Sequence, residues 1–230
     1  MIYTVIADTE EFRIFSEKLK KRDCHEMWQP LTLIPEDILN YVSNTKSDKV
    51  RLERITAYST LFYALFDLYG KRDLTLVRTE LGKPYLLENN ERSNINVSIS
   101  HTNGLVAVAL SDEYEIGVDI EREIDADRAE RLEKRFFGNI NIKEENINEK
   151  IFLLNFNGNT VIFENAESNE ADTMDFTSKW VYGESLLKCD GCGFLGLDKI
   201  SEIQENTKTS IRKIKVNKKQ FFISTTIKAL

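Results

Sequence analysis

Residues that break, staple or cross-link a backbone are scarce in this chain. Ten glycines and three prolines among 230 residues exclude collagen-like and Pro/Gly-rich disordered classes. Three cysteines, an odd number, and two histidines suit neither a disulfide scaffold nor a structural zinc centre. Only Cys189 and Cys192 have CxxC spacing, and no second pair completes them. Reduced thiols in a cytoplasmic setting are therefore expected. No apolar run approaches a membrane span. Residues 1–8 read as a first strand, because they lack the basic start and longer apolar core of a signal peptide. Positive charge is also in deficit. A net charge of -7 and a pI near 5.1 argue against general nucleic-acid binding and leave room for a local basic groove that holds phosphates.

What is present is ordinary for a globular protein, 41% hydrophobic and 30% charged residues, with length for one large domain or two small ones. Ile55, Tyr58, Leu61, Phe62, Leu65 and Phe66 recur at helical spacing and predict a helix over 51–68, with Gly70 just beyond its end. Val97-Ser98-Ile99-Ser100-His101-Thr102-Asn103-Gly104 reads as a strand running into a tight turn, followed by an apolar strand over 105–110. The polar joint Ser111-Asp112-Glu113 divides the chain into halves 1–111 and 112–230. A helix is expected over 128–137, then an Asn-rich stretch over 139–148. Strands over 151–156 and 160–163 flank Asn157-Gly158-Asn159, a hairpin signal because Asn and Gly tolerate positive φ. The acidic stretch 164–175 reads as a loop, 179–188 as a helix ending in a glycine-containing turn, and 211–216 and 221–227 as strands. The mixture is α+β, without a fixed-period repeat.

Chemistry concentrates in Tyr114-Glu115-Ile116-Gly117-Val118-Asp119-Ile120-Glu121. As a strand, it points Ile116, Val118 and Ile120 into a core and lines the other face with Gly117, Asp119 and Glu121, the two carboxylates about 7 Å apart. Such a pair suits Mg²⁺, which takes one or two carboxylates plus substrate phosphates, and the bare glycine would leave room for the ligand. The same alternation also describes a half-buried strand with a solvated face. Trp180, Glu184 and Lys188, spaced four and four, share one helix face, so Glu184 and Lys188 can act on one ligand or form a surface ion pair.

In order along the chain, Gly82-Lys83-Pro84, Ser98-Ile99-Ser100-His101-Thr102-Asn103-Gly104, Gly117-Val118-Asp119-Ile120-Glu121 and Trp180-Val181-Tyr182-Gly183-Glu184-Ser185-Leu186-Leu187-Lys188, continued by Gly191-Cys192-Gly193, resemble four motifs of the 4′-phosphopantetheinyl transferases of the Sfp-like, two-domain type. Ser43-Asn44-Thr45-Lys46-Ser47-Asp48-Lys49 resembles the family's basic upstream stretch more loosely. The resemblance implies a pseudo-dimer of two similar α/β halves with coenzyme A and Mg²⁺ in the cleft between them. It implies transfer of the phosphopantetheine arm to a serine of an acyl or peptidyl carrier protein, with release of 3′,5′-ADP, by a monomer.

Carried onto this chain, the resemblance makes Asp119, Glu121 and Glu184 the metal ligands, and Glu184 also the base. Lys188 becomes a catalytic positive charge on the pyrophosphate or leaving group. Lys46, Lys49, Arg54, Lys83, Ser100 and His101 would bind coenzyme A, with Arg51 an alternative to Arg54. Taken singly, His101 also fits a hydrogen-bonded turn residue, and Lys46, Lys49 and Arg54 fit solvated helix charges. The chain departs from the pattern in two places. Gly183 stands where the family has lysine, so restoring that lysine is expected to raise the rate and stabilise the helix. The stretch between Phe137 and Trp180 is longer than usual and contains the extra hairpin, in a region where the family's carrier docks, so carrier recognition is expected to differ. A degenerate relative that binds coenzyme A or a carrier without efficient transfer is the rival expectation.

Overall fold

A computed structural model describes residues 1–20, 33–133, 136–137, 140–157, 160–171 and 175–230. Strand β1 (Ile2–Asp8) leads directly into α1 (Thr9–Lys20), whose first amides, of Glu10 and Glu11, donate to the Asp8 carboxylate and so satisfy donors a helix start leaves open. After α2 (Glu36–Ser43) comes the long α3 (Asp48–Tyr69). Ser47 caps α3 by accepting from the Val50 amide, and Gly70, at φ 66°, ends it in the left-handed conformation that glycine adopts without strain. Strands β2 (Leu74–Arg78), β3 (Pro84–Glu88) and β4 (Glu91–Arg92) form a small antiparallel sheet. Strands β5 (Asn96–Thr102) and β6 (Leu105–Ser111) form the expected hairpin, turned by Asn103 and Gly104, both at positive φ.

The second half runs β7 (Tyr114–Arg122), α4 (Ala126–Glu133), β8 (Glu149–Asn157), β9 (Thr160–Asn165), β10 (Ser168–Glu170) and α5 (Phe176–Asp190). A 3₁₀ segment (Gly193–Lys199), α6 (Ile200–Glu205), β11 (Lys208–Val216) and β12 (Lys219–Ala229) complete it. The expected helix over 128–137 begins earlier and is helical only to Glu133, with 134–135 outside the described residues and a turn at Phe136 and Phe137. The acidic stretch is not all loop, since β10 pairs with β11 there; its residues 172–174 lie outside the described residues, as does the Gly158-Asn159 hairpin turn. No helix among the described residues is long and apolar enough to cross a membrane.

Two large sheets carry the α+β fold. One has the order β5-β6-β1-β8-β9, the other β10-β11-β12-β7. Within the first sheet β1 and β8 run parallel and every other pair is antiparallel. The sheets share a core, and period-two alternation shows how. On β1, Val5 and Ala7 pack in the cluster with Leu61 and Leu65 of α3, while Ile2 and Ile6 pack with Val118 and Ile223 of the other sheet. β6 is apolar on every residue from Leu105 to Leu110 because both its faces are buried in this way. A third cluster, with Phe137, Val181, Leu186 and Phe222, lies under α5. The order is thus α3, first sheet, second sheet, α5. The β8–β9 hairpin, from the second half of the chain, extends the sheet of the first half.

Candidate functional site

The carboxylate strand meets α5 at closer range than a side chain permits. A Cβ on Gly117 would stand 2.1 Å from the carbonyl oxygen of Ser185 and 2.4 Å from the amide nitrogen of Cys189. The expectation that this glycine makes room for a ligand is thereby corrected. It makes room for the α5 backbone, and the close approach sets Glu184 and Lys188 beside Asp119. On the opposite edge β7 is held by side chains of β5. The amides of Val118 and Ile120 donate to the hydroxyls of Ser98 and Ser100, so the alternating serines of Ser98-Ile99-Ser100 replace a backbone ladder.

Asp119 is 5% exposed. Its Oδ1 accepts from Ser100 Oγ at 2.7 Å and from Lys188 Nζ at 2.5 Å, and Lys188 also donates to Ser100 at 3.0 Å. Burial raises the Asp119 carboxyl above its ordinary range; the ammonium of Lys188 and the Ser100 hydroxyl pull the other way, and Glu121 adds to the rise. Glu121 accepts from the Thr102 hydroxyl and the Arg122 amide, with the Arg128 guanidinium 3.6 Å away. Glu184 accepts no hydrogen bond from another described residue. It is pushed up to about 7, first by burial and then by Asp119 and Glu121, against the pull of Lys188.

The donor set tests well for a hard divalent cation in its chemistry: oxygen only, with Glu121 near enough to raise Asp119 and both near enough to raise Glu184. Its side chains are arranged otherwise. Among the described residues no three of His, Cys, Asp and Glu converge as a metal site, and the ammonium of Lys188 neutralises Asp119 instead.

Beside this cluster opens a cleft of about 490 Å³ between α3, the β2–β3 turn, β5 and the end of α5. Arg54, His101, Lys83 and Lys188 line it. Arg54 lies over the Tyr41 ring, 4.8 Å from its centroid, and donates to Thr45 Oγ1. His101 Nδ1 is 3.4 Å from the buried carboxylate of Glu53. Lys83 is engaged with Glu115 at 2.5 Å. Ser100 stands behind the lining, on Asp119 and Lys188. Lys46 and Lys49 are exposed and outside the lining, Lys49 lying 3.9 Å from Glu53. Arg51 is occupied by Asp48 and the Thr45 carbonyl, so Arg54, not Arg51, is the arginine of α3 that enters the cleft.

Arg78 and Tyr58 also line it, joined by a 3.2 Å hydrogen bond, and Arg78 donates to the Gly82 carbonyl at 2.8 Å. Tyr58 follows Arg54 by four residues on α3, a spacing that marks a shared face. Nothing local to Arg78 marks it; the β2–β3 turn brings it in. Gly183 faces away from the acidic cluster. A Cβ there would stand 2.4 Å from the Phe137 ring, so the glycine seats an aromatic side chain that also contacts Trp180, and a lysine in its place would meet that ring. No protein-family model and no curated protein matches the chain.

Proposed function

We propose that this chain transfers the 4′-phosphopantetheine arm of coenzyme A to a serine of an apo acyl or peptidyl carrier protein. The observation that carries this reading is convergence. Lys83, His101 and Lys188 line one cleft although as many as 105 positions separate Lys83 from Lys188, and Ser100, Asp119 and Glu184 stand beside Lys188 behind that lining. A two-halves architecture is supported by connectivity. β1 pairs with β6 of the β5–β6 hairpin and packs on α3, while β7 pairs with β12 of the β11–β12 hairpin and packs on α5. The protein would act as a monomer in the cytoplasm.

In this reading Arg54 and Arg78, neither held by a carboxylate among the described residues, supply the charge that binds phosphates of coenzyme A, with His101 beside them. Lys46 and Lys49, outside the cleft lining, take no part. Asp119, Glu121 and Glu184 would hold Mg²⁺, which when bound neutralises charge on the pyrophosphate. Glu184, which accepts no hydrogen bond among the described residues and is pushed up to about 7, accepts the proton of the attacking serine hydroxyl. Lys188 places its ammonium at the cleft wall, where negative charge develops on the leaving group. The serine oxygen forms its bond to the β-phosphorus as the bond to the bridging oxygen breaks and 3′,5′-ADP departs.

A second reading, binding without efficient transfer, draws on the Lys188–Asp119 pair, which leaves Asp119 already neutralised. Incubation with coenzyme A, Mg²⁺ and several apo carrier proteins, read by intact mass, separates the two. Transfer adds the phosphopantetheine arm to a carrier. The rival gives calorimetric binding of coenzyme A and no carrier mass change.

A further inference from the structure

Three of the cleft's side chains already have protein carboxylates beside them: Lys188 has Asp119, Lys83 has Glu115, and the His101 ring has Glu53. Of these side chains Lys83 is the least exposed, and it also reaches a carbonyl of α5, 106 positions away. The Lys83 side chain is 13% exposed and that of Glu115 is 23% exposed. Its ammonium donates both to Glu115 Oε2 on β7 and to the carbonyl oxygen of Cys189 in the last turn of α5, which uses two of its three protons. The stem of Lys83 runs over Gly191, where a Cβ would stand 2.8 Å from Lys83 Cδ. Gly191, at φ 85°, therefore serves twice: it ends α5 in the left-handed conformation and leaves a channel for the lysine.

The root of this side chain is equally fixed. The Lys83 amide donates to Thr79 Oγ1 at 3.1 Å, its carbonyl accepts from the Thr79 amide at 2.9 Å, and Arg78 holds the Gly82 carbonyl. The β2–β3 turn is thus pinned to its own hairpin at one end of Lys83 and to α5 and β7 at the other. Gly82 and Pro84 line the cleft on one side, Lys188 and Gly191 on the other. Glu115 pairs with Lys83 through Oε2 and with Arg92, outside the cleft lining, through Oε1 at 3.1 Å, so it offsets part of the Lys83 charge and holds the lysine away from that space.

We infer that Lys83 is a positioning residue, a strut that ties the β2–β3 turn to the end of α5 and fixes the width of the cleft and the placement of Lys188, rather than a direct ligand of the bound anion. This rests on the reading that the cleft holds coenzyme A. The strut does its work through Glu115, which does not line the cleft, so disturbing Glu115 disturbs the wall.

The test uses the full chain, coenzyme A as probe, and calorimetry at a temperature where all variants are folded. Lys83→Met and Glu115→Gln are both expected to weaken binding by about tenfold, the equivalent of about 1.4 kcal/mol. Glu115→Gln decides. A direct phosphate ligand freed of its carboxylate would bind the anion as well or better, so unchanged or tighter binding in Glu115→Gln would overturn the strut. Thermal unfolding of the two single variants and the double variant supplies a ligand-independent cycle. Because Glu115→Gln also releases Arg92, the strut gives a double-variant melting temperature close to that of Glu115→Gln alone, and additive losses would overturn it. If the unsubstituted protein binds no coenzyme A, the reading of the cleft falls, and the unfolding cycle still decides Lys83.

Discussion

Glu184 lies one helical turn before Lys188, with no donor on its oxygens among the described residues, and burial together with Asp119 and Glu121 raises it to about 7. A carboxyl held above its ordinary range binds its proton more tightly in the folded state. It therefore favours folding below the ordinary carboxylate range, and that advantage is lost as pH rises through about 7. In chelator, Glu184→Gln should remove a decline in stability between about pH 4.5 and 7, on the order of 1 to 3 kcal/mol, measured by urea unfolding across that range. Added Mg²⁺ should flatten the same decline in the unsubstituted protein, because a cation favours the ionised carboxylates. Asp119→Ala should abolish transfer while the chain still folds, at a cost of about 3 to 5 kcal/mol, since removing one partner of a buried pair leaves Lys188 and Ser100 without their shared acceptor. Wild-type turnover at low Mg²⁺ in that variant would contradict its role. Asp119, Glu121, Glu184 and Lys188 were legible at this scale, because period-two and four-residue spacings fix which side chains share a face. Arg78 was not, since nothing local to it records which loop will fold across the cleft.

At the level of elements, two glycines decide how α5 sits, and both correct the expectation drawn from sequence. Gly117 meets the α5 backbone and Gly183 meets the Phe137 ring. Neither contact is visible in a local pattern, because both partners come from elsewhere in the chain. Gly117→Ala should cost on the order of 3 kcal/mol or more, since neither backbone can yield without parting β7 from α5. Thermal melting measures it, and a near-neutral change would contradict the packing. Gly183→Ala and Gly183→Lys carry opposed effects. Helix propensity favours the change by about 1 kcal/mol, while overpacking against a buried ring costs roughly 1 to 3 kcal/mol. The clash is expected to win, so both variants should melt earlier, and a more stable Gly183→Lys protein would show that Phe137 moves aside. The periodic elements, β5 through β7, α3 and α5, were readable because each carries its own alternation and turn residues. The β2–β4 sheet and α6 were not, since they are short and owe their form to what they pack against.

For the whole molecule, the shared core between the sheets and the β8–β9 hairpin have the widest consequences. Leu154 of β8 is 4% exposed within the cluster that includes Leu61 and Leu65 of α3, and β8 pairs along nearly the whole of β1. Residues 112–230 expressed alone would lose that partner strand, and are expected to remain unfolded by circular dichroism. Leu154→Ala in the full chain should cost about 2 to 5 kcal/mol, read by urea denaturation as one transition, because the core shared between the sheets couples the two halves. A stable, folded 112–230 fragment would contradict this. Above all of these stands the transfer reaction. The most direct measurement is intact mass of several apo carrier proteins after incubation with this protein, coenzyme A and Mg²⁺, alongside the Glu184→Gln protein. The expected result is a carrier that gains one phosphopantetheine arm with the unsubstituted protein and none with Glu184→Gln. Carriers that all stay unmodified while coenzyme A binds in the cleft would contradict the proposed transfer.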